Sequence, residues 1–136
     1  MRIYLDSSAL VKRIVDEPHA ETLRSALRAA VAGGDLLVTS VLARVEVSRV
    51  ARVLLDDTRL ADIVTASHDA LAGVAVAAFN GPIIESARVI GPPALRSLDA
   101  IHLATAIVLG VDEVWTYDAR MAQVSEELGI PSRFGR

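Results

Sequence analysis

Four acidic residues, Asp6, Glu46, Asp99 and Asp118, stand where a carboxylate needs an explanation. Asp6 closes the short apolar run Ile3–Leu5, and Asp118 lies just beyond the run Glu113–Thr116. If these runs are strands of an open parallel sheet, both aspartates reach the edge outside the strands' carboxyl ends, where such sheets bind ligands. Asp35 and Asp112 precede apolar runs and belong on the opposite edge. Asp16, Asp56, Asp57, Asp62 and Asp69 sit in or beside turns and outer helices, as solvated caps do. Asp99 falls two residues after Ser97, in the first turn of a helix. Attraction to the helix dipole, worth about 0.3–1 kcal/mol, would account for it in isolation. Yet Leu98, Ile101, Leu103, Ala104, Ala106, Ile107 and Val108 make that helix apolar almost all round, so it should be central, and a carboxylate at its start needs a partner. Glu46 falls between Leu42, Val50 and Val53 inside an apolar stripe. A charge there is costly unless paired or bound to metal. An ion pair with Arg49 or another arginine and a place in a functional site account for it equally well.

Although far apart in sequence, the four acids can meet at one end of a sheet. Ionised together, they require a cation. The chain has no cysteine and only His19, His68 and His102, so the ligands would be oxygens, which select Mg²⁺ or, as a substitute, Mn²⁺. Magnesium held by a few carboxylates keeps waters and suits the holding of phosphate oxygens and the activation of a water. His102, one turn after Asp99, is expected as a hydrogen-bonded core or groove histidine rather than a ligand. His19 follows Pro18 and should face water, and His68 shows no partner. Ser7 and Ser8 are expected helix caps, and one hydroxyl can also bond the Asp6 carboxylate. Thr116 has the same two readings beside Asp118. No HExxH, GxGxxG, P-loop or GxSxG pattern is present, which leaves those chemistries without support.

The elements that would carry these residues alternate. Strands are expected at Ile3–Leu5, Leu36–Val38, Val74–Phe79 (fully buried), Glu113–Thr116 and, at an edge, Ile130–Arg133. Helices are expected from Ser7 or Ser8 to about Val15, from Pro18 to Gly33-Gly34, from a Thr39 or Ser40 cap to about Leu55, and again beyond a break at Asp56-Asp57-Thr58. Further helices should run from Pro82 to Ile90, from a Ser97 cap to Gly110, and to Leu128. Strand alternating with helix implies a parallel sheet covered on both faces. At 136 residues one domain, 1–136, is expected, and the 52% hydrophobic content argues against disorder. No apolar run is long enough to cross a bilayer, and Asp6 interrupts any leader, so a cytoplasmic protein is expected. The net charge of −3 gives no global footprint for nucleic acid, so any polyanion must be held locally. Lys12, Arg13, Arg49, Arg96 and Arg120 lie near the acids in sequence and are the candidates. The five aromatics, Tyr4, Phe79, Trp115, Tyr117 and Phe134, suggest no stacking platform. The helices around Val41–Leu55 and Leu60–Leu71 are short of polar residues for two faces, and surplus apolar surface marks an interface.

These residues resemble a family. Asp6-Ser7-Ser8-Ala9-Leu10-Val11-Lys12 is similar to the opening motif of PIN-domain ribonucleases. Leu98–Ala106 is similar to their third acidic motif, Glu46 to the acid on their central helix, and Thr116-Tyr117-Asp118 to the segment carrying their last acid. Chain size most resembles the VapC toxins of bacterial toxin–antitoxin pairs. The resemblance implies a three-layer α/β/α sandwich with a central parallel sheet. It also implies a Mg²⁺-dependent endoribonuclease in which Asp6, Asp99, Asp118 and Glu46 hold metal, with RNA as substrate. A cognate antitoxin that blocks the site and a homodimer are implied as well. The alternatives are a stand-alone PIN nuclease in RNA processing and a catalytically silent partner-binding module. A phosphoacceptor signalling domain is disfavoured, because it needs a lysine after a late strand and Lys12 is the only lysine.

Overall fold

A computed structural model of the chain describes residues 1–55 and 59–135. Strand β1 (Arg2–Leu5) sits at the centre of a five-stranded sheet. Its side chains alternate between two packed faces, as the two-residue period of a strand requires. Ile3 and Leu5 join Leu10, Leu23, Leu27 and Val47 on one face, whereas Tyr4 joins Val38, Ala106 and Val114 on the other. Helices therefore cover both faces, and the architecture is a three-layer α/β/α sandwich.

The first face is covered from α1 (Ser7–Val11), α2 (Ala20–Ala32) and α3 (Leu42–Leu54), which follows β2 (Leu36–Ser40). Next come α4 (Leu60–Ala70), β3 (Ala75–Ala77), α5 (Gly81–Ala87), α6 (Ser97–Val108), β4 (Glu113–Trp115), α7 (Ala119–Glu127) and β5 (Ser132–Arg133). The strand order is β3-β2-β1-β4-β5, and every neighbouring pair is parallel. The order reverses on either side of β1, which makes the carboxyl ends of β1 and β4 the crevice where such sheets bind ligands. Among the described residues, no helix is long and apolar enough to cross a membrane.

The structure corrects several expectations. The first helix stops at Val11 rather than Val15, and its cap is Asp6 rather than Ser7 or Ser8. Beyond Val11 the chain turns, and the Arg13 guanidinium donates to the carbonyls of Ala70 and Ala72. Ser40 accepts from the Leu42 N–H at the start of α3, while Thr39 donates instead to the Leu5 carbonyl, tying β2 to β1. The run Val74–Phe79 is not a fully buried strand. Only Ala75–Ala77 pair, at the sheet's edge, and Val76 and Phe79 are exposed. Asn80 ends the extended stretch by accepting the Ile83 N–H as the cap of α5. Arg96, with no side-chain cap, occupies the position expected of Ser97. Helix α6 is buried all round through His102–Ala106, as expected of a central helix, and only its ends are exposed, at Leu98, Ile107 and Val108. The expected break at Asp56-Asp57-Thr58 lies outside the described residues.

The two control aspartates are at the amino edge. Asp112 accepts the Arg2 N–H at 2.7 Å, and Asp35 pairs with the N-terminal ammonium at 2.7 Å.

Candidate active site

Asp6 is the anchor. It is the residue directly after β1 and is only 3% exposed. Oδ1 accepts from the Ser8 hydroxyl at 2.7 Å and the Ala9 N–H at 3.0 Å, and Oδ2 accepts from the Thr116 hydroxyl at 2.6 Å. Burial pushes its carboxyl up, while His102 and these three donors pull it back. Thr116 also accepts the Asp118 N–H at 3.0 Å, and Ser8 accepts the Tyr117 N–H at 2.8 Å. Two hydroxyls thus stitch the carboxyl end of β1 to that of β4. The expected bond of a serine hydroxyl to Asp6 is present, from Ser8, whereas Thr116 donates to Asp6 rather than to the Asp118 carboxylate and meets Asp118 only through its backbone N–H.

Asp118 caps α7, its Oδ1 accepting from Arg120 N–H at 2.9 Å and Met121 N–H at 3.1 Å. Asp99, half-buried in the first turn of α6, is pushed above the ordinary carboxylate range by burial. Asp118 and Asp6 push it the same way, and His102 and Arg96 oppose them. The three aspartates therefore form one electrostatic group.

Glu46 joins from α3. Its partner is His102 rather than the expected Arg49: His102 Nε2 lies 2.5 Å from Oε1. His102 is 1% exposed, and its Nδ1 is 2.6 Å from the Tyr4 hydroxyl. The expected stripe of Leu42, Glu46, Val50 and Val53 is not the packed face of α3. Ala43, Val47 and Ala51 are, and Glu46 lies on the margin.

Of the cations near the acids in sequence, two are committed elsewhere. Lys12 pairs with Glu17 at 2.9 Å, and Arg13 holds the α4 carbonyls. Arg49, Arg96 and Arg120 are exposed. His19 and His68 are exposed too. Sequence reasoning missed Tyr4 as the partner of His102, and it missed an aromatic cluster beside Asp118. Tyr117 stacks on Phe134 with centroids 5.5 Å apart, Lys12 lies over Tyr117, and Arg133 lies over both Trp115 and Phe134. The parallel pairing of β4 with β5 brings Phe134 there, and no local spacing announces it.

The donor set suits a hard divalent cation. All four acids offer oxygen, and a cation would offset both the burial and the repulsion from Asp118 and Asp6 that raise Asp99. Among the described residues, no three His, Asp or Glu side chains are placed closely enough to hold a metal ion together. Magnesium does not require three, since it commonly takes one or two carboxylates and completes its shell with water and substrate phosphate.

Residues 3–127 match the PIN domain family. Ribonuclease VapC46 of Mycobacterium tuberculosis is 43% identical, over 94% of this chain and 93% of its own. Ribonuclease VapC47 of the same organism is 37% identical with the same coverage. The chain belongs to the PIN domain family, on the branch that these VapC relatives represent. Among solved structures, a chain of the Rickettsia felis VapBC2 complex bound to a promoter DNA fragment superposes with a TM-score of 0.71. It is 11% identical, over 98% of both chains. Mycobacterium tuberculosis VapC20, described as a toxin cleaving the Sarcin-Ricin loop, gives 0.67 at 15% identity, covering 89% of this chain and 93% of its own. Both share the fold.

Proposed function

We propose that the protein is a Mg²⁺-dependent endoribonuclease that hydrolyses RNA phosphodiester bonds, and that it is the toxin of a toxin–antitoxin pair. The observation that carries the chemistry is the grouping of Asp6, Asp99 and Asp118 at one sheet edge, where Asp99 is raised first by burial and then by Asp118 and Asp6. The names of the VapC relatives support ribonuclease activity, and the VapBC2 complex supports an antitoxin partner.

Asp6, Asp99 and Asp118 would hold the ion, with Glu46 completing the site. Bound Mg²⁺ would supply an activated water at neutral pH and stabilise charge on the phosphoryl and leaving oxygens. The chain's own contribution is placement. Ser8, Thr116 and the Ala9 N–H fix both oxygens of Asp6, and the Arg120 and Met121 N–H groups fix one oxygen of Asp118. Arg49, Arg96 and Arg120 are the exposed cations left to hold the RNA backbone. An antitoxin would silence the site by setting a basic side chain, an arginine, against the acids in place of metal. Exposed apolar side chains on α3 and α4, with Val53 at 81% and Leu60 at 76%, favour a homodimer and an apolar partner helix. A cytoplasmic location follows from an RNA substrate.

Cleavage of a structured RNA by wild type, Asp99→Asn and Asp112→Asn tests the reading. Wild type and Asp112→Asn should cut, and Asp99→Asn should not. Equal cleavage by all three would remove the acidic edge from the chemistry.

A further inference from the structure

We infer that His102 is a positioning residue: it holds Glu46 through Nε2, Tyr4 fixes its ring from the other side, and this relay sets the divalent-cation affinity of the acidic site. The inference rests on the metal-dependent reading proposed above and assigns work to two residues outside the acidic set.

Both ring nitrogens of His102 are engaged, at 2.6 Å by the Tyr4 hydroxyl and at 2.5 Å by Glu46. Tyr4 is wholly buried in β1. The Tyr4 phenol turns its proton to Nδ1. The second ring nitrogen must then carry hydrogen toward Glu46. A doubly protonated ring would present the same Nε2–H to the same carboxylate, so the bond does not depend on the ring's charge.

Placement argues that the relay serves the site. Tyr4 lies on β1 two residues before Asp6, and His102 lies three after Asp99 on α6. The relay thus ties Glu46 of α3 to the elements that position Asp6 and Asp99. Buried polar groups of this kind seldom add stability over an apolar core of equal volume. Groups that orient metal-holding side chains, by contrast, typically change metal affinity 10–100-fold when removed.

The test uses Mn²⁺ as probe on metal-free protein, with free Mn²⁺ read by electron paramagnetic resonance and folding by circular dichroism. His102→Leu should weaken Mn²⁺ binding about tenfold. His102→Gln, which keeps an amide donor, and Tyr4→Phe, which keeps the imidazole, should lose less. In a Glu46→Ala background, His102→Leu should cost nothing further, because a residue acting through Glu46 has nothing left to act on. Wild-type Mn²⁺ affinity in His102→Leu, or an equal loss with and without Glu46, overturns the inference. If His102→Leu does not fold, unchanged affinity in both His102→Gln and Tyr4→Phe overturns it. A wild-type protein that binds no Mn²⁺ sinks the metal reading as well, whereas Mn²⁺ binding that ignores all three variants sinks this inference alone.

Discussion

Replacing Thr116 by valine keeps the shape of the side chain and removes one oxygen. That oxygen is wholly buried, donates to Asp6 Oδ2 at 2.6 Å, accepts the Asp118 N–H at 3.0 Å and has a longer contact to the Ser8 hydroxyl at 3.3 Å. A hydrogen bond to a charged group contributes about 1.5–3 kcal/mol, and a neutral one about 1 kcal/mol. Thr116→Val should therefore cost about 2–4 kcal/mol, a large share of the roughly 5–15 kcal/mol that holds a domain folded. The cost should depend on pH. Burial already raises Asp6 in the folded state, and losing a donor that favours the ionised form raises it further. A group raised by folding stabilises the fold below its unfolded pKa, and that contribution is lost as pH rises through the folded value. The variant's deficit should thus be full where Asp6 is ionised in the folded state and shrink as pH falls and Asp6 protonates. Urea unfolding of metal-free protein at several pH values measures both. A deficit under about 0.5 kcal/mol, below even the weaker bond's contribution, or one that does not change with pH, would refute the stitch between β1 and β4.

Other outcomes follow from the same geometry. Asp99→Asn should abolish cleavage while leaving the metal-free melting temperature equal or higher, because it removes a half-buried charge repelled by Asp118 and Asp6; it should also flatten the loss of stability that wild type suffers as pH rises out of the carboxylate range. Asp112→Asn and Asp35→Asn should keep cleavage near wild type, with a stability cost of about 1 kcal/mol or less for each weakened exposed contact; loss of activity in a folded variant would show that the edge assignment is wrong. Light scattering should find a dimer for wild type and a shift toward monomer for Val53→Asp or Leu60→Asp, while an invariant monomer would leave that apolar face unexplained.

The site was legible in sequence where topology alone decided it. A carboxylate directly after a strand must lie at the carboxyl edge, so Asp6 and Asp118 could be placed without any contact information, and Asp35 and Asp112 could be excluded. Glu46 was visible as an anomaly, but its partner was not. A helical wheel offers Arg49, three residues on, whereas His102 is reached only by folding α6 toward α3. Lys12 and Arg13 show the converse: neighbours of Asp6 in sequence, they are drawn to Glu17 and to the end of α4. The run Val74–Phe79 was misread because an unbroken apolar stretch carries no alternation to distinguish a central strand from an edge. The three-layer fold survived that error, since β1, β2 and β4 set the sheet.

If the acids at this edge work through a divalent cation, RNA cleavage by protein stripped with EDTA should be absent in chelator and recover as Mg²⁺ is returned. Undiminished cleavage in EDTA by protein verified free of metal would contradict a metal-dependent site.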